Sequence, residues 1–291
     1  MNKAPYINTK NDVANLVKVL IIATIPLIIY GFFKNGIIPY SKDSNNVYEL
    51  FKPILLPISG LAVGVYINVI NNKRQKQALL PIYGLLAGCI MPMKTNLILF
   101  LVITFLVLFF INRIKNKITI NQSALIYLII IAISLILGNL TFKNNYEATT
   151  DIAYSFIDII FGRSFSGISC SSIILSIISY TYLSFNPIYK KNIPISIIST
   201  VFALLLIQAF FISPFTATMM KGFSGYLFFA SIFIAPDSNN TPYTKIGRSV
   251  YGIVIGILTF ILSLFMSIRY GIFISILIAS LFTKIFNNLN P

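Results

Sequence analysis

The feature that most constrains this chain is a succession of apolar runs, each long enough to cross a bilayer and parted from the next by short polar stretches. About 30 Å of hydrocarbon takes roughly 17 to 25 helical residues, since a helix satisfies its own backbone inside lipid. Windows of that length fall near 16–34, 50–71, 77–93, 95–112 and 123–141, and again near 168–185, 193–213, 219–235, 249–266 and 270–287. The sequence therefore predicts an all-α polytopic membrane protein of about ten transmembrane helices, with almost no chain left for a soluble domain. Very short turns separate 77–93 from 95–112 and 249–266 from 270–287, which predicts that one member of each pair is re-entrant or broken. The first run follows Lys3 and Lys10. It is too long for the apolar core of a signal peptide and no Ala-x-Ala site follows it, so it reads as a retained span.

Composition excludes several function classes. Hydrophobic residues make up 57% of the 291, charged residues 10%, and the mean hydropathy is +0.85; a soluble domain of this size needs a more polar surface. The net charge of +15 is spread in short clusters between apolar runs rather than over one face, so the bilayer, and not nucleic acid, is the expected partner. There is no histidine, which removes the commonest metal ligand and the usual general base together. Cys89 and Cys170 lie in apolar runs without metal-ligand spacing. No metal site and no catalytic side chain is expected, and the chain is not expected to be catalytic alone.

Orientation follows from Lys and Arg in the short loops. With the N-terminus cytoplasmic, 14 basic residues fall inside, including the NKRQK and NRIKNK clusters, and 8 fall outside. Both termini are then cytoplasmic in a multi-pass plasma-membrane protein. The longest connection, 142–167, faces outward and contains DIAYSFIDIIF, whose apolar residues recur at helical spacing, as in an amphipathic surface helix.

Five spans before that loop and five after it suggest a duplication, 1–141 and 168–291, with the second copy inverted because the number per half is odd. One pair of segments supports this. GLLAGCIMPMKTN (84–96) and FASIFIAPDSNNTP (229–242) each run from small apolar residues into a proline and then polar residues. Interrupted helices of this kind free backbone groups near the midplane, where membrane proteins bind ligands. Intramembrane carboxylates are scarce, which weakens an ion-driven secondary transporter and leaves open a neutral solute or an uncharged ring. The stretch SFSGISCSS (164–172) has two readings: a small-residue packing seam, or a run of backbone N–H groups facing a phosphate or ring carbonyl.

The segment APDSNNTPYTKIGRSVYGIVIGILTFIL (235–262), with Pro236, Asp237, Pro242, Gly247, Gly252 and Gly256, resembles a stretch of the RnfD/NqrB family, membrane components of the Rnf and Nqr complexes. FGRSFSGISCSS (161–172), followed by YLSFNPIYKKNIPISIIST (182–200), is similar to the family's Gly-rich lead-in to the sixth span, its basic turn and its seventh span. APYI (4–7) resembles the family's opening segment. The resemblance implies a divergent membrane subunit of an ion-translocating oxidoreductase, partnered by other subunits and passing electrons through flavins. It implies FMN esterified at Thr149, where Tyr146, Glu147, Ala148 and Thr149 stand for a Ser/Thr-Gly-Ala-Thr motif, with Thr150 as the neighbouring acceptor; riboflavin is the second cofactor implied. Gly167, Ile168, Ser169 and Cys170 stand for the family's Gly-Glu-Thr-Ser. Gly167, Ser169, Pro236 and Asp237 are thus the further flavin-contacting residues expected. A flavin carrier needs no side-chain acid or base, since the redox chemistry belongs to the cofactor. The alternatives are a channel-like or facilitative transporter of a small neutral solute on the same scaffold, and a subunit that only anchors its partners.

Overall fold

The computed structural model describes residues 13–43, 47–70, 79–114, 120–136, 156–163, 167–211, 215–238 and 240–287. Among the described residues the regular structure is helical throughout. The first run is longer than the 16–34 window: α1 (Val13–Phe32) continues through a π-helical turn (Phe33–Ile37) into α2 (Ile38–Asp43). Then come α3 (Val47–Ile70), α4 (Leu80–Ile90), α5 (Leu97–Ile114), α6 (Gln122–Ile136) and a short α7 (Phe156–Phe161). Past it lie α8 (Ile173–Ser184), α9 (Asn192–Phe211), α10 (Phe215–Gly222), α11 (Gly225–Phe229) with a second π-helical turn (Ala230–Ile234), α12 (Lys245–Phe265), α13 (Ile268–Leu281) and α14 (Thr283–Asn287).

Among the described residues, four helical runs, Asn15–Ser41, Val47–Ile70, Asn192–Phe211 and Lys245–Phe265, are long and apolar enough to cross a membrane. Their outward faces, with those of the shorter helices, expose Ile29, Phe33, Val69, Val102, Phe110, Phe210 and Phe265. Water would penalise such a continuous apolar surface, and lipid does not. The chain is a helical membrane protein.

The breaks have local causes. Both π turns end two residues before a proline, at Pro39 and Pro236, which lack the N–H that would continue the helical ladder. In the second, Ala235 N–H donates to the Ala230 carbonyl at 2.8 Å, one residue beyond α-helical register. α4 is 11 residues, about 16 Å at 1.5 Å per residue, half of a bilayer. Met91 turns extended (φ −65°, ψ 146°) because it precedes Pro92. So of the close pair 77–93 and 95–112, the first is the broken member. In the pair 249–266 and 270–287, α12 keeps 21 residues and α13 only 14, and the later window is divided between α13 and α14. The 219–235 window is likewise divided: α10 ends at Gly222 and α11 starts after Ser224.

Two helix pairs are held by close backbone approach. On α3 and α4, which run antiparallel, Gly60 meets Gly84, Gly64 meets Leu80 and Pro81, and Gly88 meets Leu56 and Pro57. A Cβ at either Gly60 or Gly84 would strike the other's carbonyl, so this contact requires glycine on both helices. Parallel to each other, α9 and α12 meet where Gly252 lies on Ile193 and Ser196, and Gly256 on Thr200. The N-termini of α8 and α12 are capped by Ser172, which accepts from Leu175 N–H at 3.3 Å, and by Thr244, which accepts from Gly247 N–H at 3.1 Å.

Of the outward loop expected at 142–167, residues 142–155, and with them Thr149 and Thr150, and residues 164–166 lie outside the described residues. Phe156–Phe161 is the described end of the amphipathic helix, showing Phe156, Ile157 and Phe161 outward and burying Ile159. It stops at Gly162, φ 88°, where Gly162 N–H donates to the Ile159 carbonyl and Arg163 N–H to that of Asp158, a C-cap that places glycine in left-handed backbone.

Candidate functional site

The chain crosses itself at the two helix interruptions. At the first, residues 167–172 pass the end of α4. Ile168 N–H donates to the Met91 carbonyl and Ser169 N–H to that of Cys89, each at 2.9 Å. Asn35 Nδ2, from the first π turn, donates to the Ile168 carbonyl at 2.9 Å, and Tyr226 Oη donates to that of Ile90 at 3.4 Å. These bonds satisfy carbonyls that a helix ending inside lipid would otherwise leave bare. Space is minimal: a Cβ on Gly167 would meet the Ile90 carbonyl at 2.5 Å, and one on Gly225 would strike the Cys170 carbonyl. Beside this crossing, Tyr127 and Phe273 pack with ring centroids 4.2 Å apart, and Tyr226 lies 6.1 Å from both. The buried hydroxyls of Ser171 and Ser231 have no hydrogen-bond partner among the described residues.

The second interruption carries the charge. After the π turn, Ala235 and Pro236 lead to Asp237, which is only 9% exposed. Tyr83 Oη donates to Asp237 Oδ1 at 2.8 Å, and Asn240 Nδ2 donates to Oδ2 at 2.6 Å. Thr241 Oγ1 donates to the Asp237 carbonyl at 2.5 Å. Two side chains hold the end of the interrupted helix: Asn121 Nδ2 donates to the Ile234 carbonyl and Tyr189 Oη to that of Ile232, both at 2.8 Å. Asn240 Nδ2 also reaches the Ile120 carbonyl at 2.9 Å, tying the start of α6 to this turn.

Lys190, in the turn between α8 and α9, is buried against the same loop. Its Nζ donates to the carbonyls of Thr241 (3.1 Å) and Ser238 (3.4 Å) and to Thr241 Oγ1, and lies 5.5 Å from the centroid of the Tyr243 ring. Burial, reinforced by the Arg248 guanidinium, pushes the Lys190 ammonium down to about 8, with Asp237 pulling the other way. Burial also raises the neighbouring Tyr189 phenol well above its usual range.

Between these groups lies a narrow cleft of about 20 Å³, room for about one water molecule. Its polar wall is Tyr83, Asn121, Ser123, Tyr189 and Asp237; Leu16, Leu20, Leu86 and Phe233 make the aliphatic and aromatic wall. Tyr83 and Cys89 place the start of α4 at the second crossing and its end at the first. Gly225 and Ile234 place α11 and its π turn the other way round. Each interrupted helix thus begins at one crossing and ends at the other.

Of the residues singled out in the sequence, Gly167 and Ser169 belong to the first crossing and Pro236 and Asp237 to the second. Tyr83, Asn121, Tyr189, Lys190 and Asn240 did not stand out in the sequence, where Lys190 counted only as a loop charge. Their partners are 154, 113 and 43 positions away for Tyr83, Asn121 and Tyr189, and no local spacing announces such pairs. For Asn121, Tyr189 and Lys190 the available signal was a polar residue just outside an apolar window; Tyr83, inside the 77–93 window, had none.

Compared with known families, residues 1–291 match the family described as NQR2, RnfD, RnfE. No curated protein matches the chain.

Proposed function

This chain belongs to the NQR2, RnfD, RnfE family, and we propose on that premise that it is the flavin-carrying membrane subunit of an Rnf- or Nqr-type ion-translocating electron-transport complex, acting with the other subunits and not catalytic alone. The observation that carries the reading is the family match along the whole chain. The structure supplies a scaffold that suits it: two interrupted helices, bridged side by side between two crossings, in a largely apolar interior that also buries Lys34, Lys52, Lys190 and Asp237.

The full reading has ten spans in two inverted halves, 1–141 and 168–291, joined by an outward loop at 142–167, with both termini cytoplasmic. The packing supports it. The first helices of the halves, α1 and α8, pack together, and so do the last, α6 and α13. Within the halves, α4 meets α1 and α6 as α11 meets α8 and α13. The basic clusters at 72–76 and 112–117 support the orientation.

The cofactors in this reading are FMN esterified at Thr149 and riboflavin. Phenol, amide and hydroxyl groups from Tyr83, Tyr189, Asn121 and Ser123 face an apolar wall at the second crossing, a lining whose chemistry suits a ring edge. The space of about 20 Å³ requires the walls to part and these groups to exchange their present hydrogen bonds before a ring enters. Gly167, Ser169, Pro236 and Asp237 frame the two crossings. When bound, a flavin supplies the electron-transfer chemistry. The chain's part is to orient the ring, to exclude water with Leu16, Leu20 and Phe233, and to keep the Asp237 carboxylate hydrogen-bonded beside the cleft.

The test is flavin analysis of the complex purified after co-expression with its flavin-attachment enzyme. Expected are yellow absorbance and a fluorescent band for this subunit on a denaturing gel. Thr149→Ala abolishes the band and leaves non-covalent flavin in place; a band lost only in Thr150→Ala moves the ester by one residue. A wild-type complex containing no flavin would overturn the reading.

A further inference from the structure

On the face of α8 and α9 away from α12 lies an apolar groove of about 250 Å³, lined by Ile177 and Tyr180 of α8, by Pro194, Ile195, Ile198 and Ser199 of α9, and floored by Phe228 and Ile232. Its exposed wall is wholly apolar, because both hydroxyls beside it are turned onto backbone: Tyr180 Oη donates to the Lys191 carbonyl at 3.2 Å, and Ser199 Oγ to that of Ser196 at 3.2 Å. Ile177 and Ile195 are half exposed at its rim.

The groove has a charged mouth. Lys191 immediately precedes α9, and Ile195, Ile198 and Ser199 follow it at helical spacings of four, seven and eight, so the lysine heads the stripe that lines the groove. Lys190 is turned inward onto Thr241, whereas Lys191 is exposed and makes no side-chain hydrogen bond or ion pair among the described residues. The first turn of α9 contains no acid to neutralise it.

We propose that this groove binds one anionic phospholipid, with an acyl chain along Ile177, Ile195, Ile198 and Ile232 and the phosphate on Lys191. An apolar trough ending at a free cation matches the two parts of such a lipid. The lining argues against a partner's helix: membrane helices associate through small residues and shared polar groups, and half of this wall is branched isoleucine, the rest being chiefly bulky, with its hydroxyls already engaged. The site also touches the second crossing from behind. Ile232 floors the groove while its carbonyl holds Tyr189, and the Tyr180 ring packs edge-on to Tyr189 at 6.2 Å.

The experiment uses the full chain, delipidated in detergent, with phosphatidylglycerol, phosphatidylcholine of the same chains, or inorganic phosphate. Retained lipid is read by native mass spectrometry and the unfolding midpoint by a thermal scan. Phosphatidylglycerol is expected to be retained and to raise the midpoint, binding about fivefold tighter than phosphatidylcholine, as one interfacial lysine allows; phosphate alone changes nothing. Lys191→Glu removes the preference. Ile195→Trp, a half-exposed position that tolerates bulk, removes the retained lipid. Equal binding of the two lipids, retention unchanged in Ile195→Trp, the same midpoint shift with phosphate alone, or cross-linking of Ile195→Cys to another subunit in place of lipid would each overturn the proposal.

Discussion

Lys190 shows how a single side chain changes meaning between sequence and structure. In the sequence it is one of two lysines in a loop, a contribution to orientation. In the structure its ammonium is withdrawn onto the Thr241 carbonyl beside Asp237 and Arg248, and burial takes it from 10.5 to about 8. The unfolded chain binds the proton up to its ordinary value, and the folded protein releases it from about 8 upward. Between those limits the unfolded state holds more protons, so stability rises with pH across that window. Relative to Lys190→Met, the thermal midpoint of the wild type is therefore expected to climb from pH 8 to pH 10 and to be level below pH 7. A difference that does not change with pH would show that the ammonium is solvated. Asp237, expected from the family resemblance as a flavin contact, is buried and hydrogen-bonded by residues from α4 and from its own turn.

At the scale of elements, the interrupted helices depend on side chains that close their ends. The last carbonyls of the second π turn, at Ile232 and Ile234, are met by Tyr189 and Asn121 rather than by water. Asn121→Ala leaves the Ile234 carbonyl bare within the fold. The expected cost is about 1–3 kcal/mol, seen as a lower unfolding midpoint in detergent; Asn121→Gln recovers part of it if the amide reaches. An unchanged midpoint in Asn121→Ala would mean that the bond contributes nothing net. The interruptions themselves were legible, because Pro92 and Pro236 follow apolar segments too short or too irregular to continue. The π turns were not, since a proline marks where a ladder must break and not how the preceding turn widens.

For the whole molecule, orientation is the property most open to direct test. Single cysteines replacing Arg74 and Glu147 are expected to react with a membrane-impermeant maleimide from opposite sides, the first in inverted vesicles and the second in intact cells. Cys89 and Cys170 are fully buried and remain silent in such an assay. Labelling of both introduced cysteines from one side would remove the proposed five-plus-five inversion.

What the sequence determined by itself was class, approximate spans and the places where two helices stop. Each follows from local chemistry: apolar length against bilayer thickness, and proline against the backbone ladder. What only the tertiary structure decided was which segments cross. The lead-in to α8 lies on the end of α4, Asn121 closes a helix 113 residues further on, and Lys190 faces inward while Lys191 faces out. Pairings of this kind depend on how the helices pack, on the glycines that let α3 meet α4, and on carbonyls that cannot remain unpaired inside lipid. None of those conditions is written in any one window of the chain.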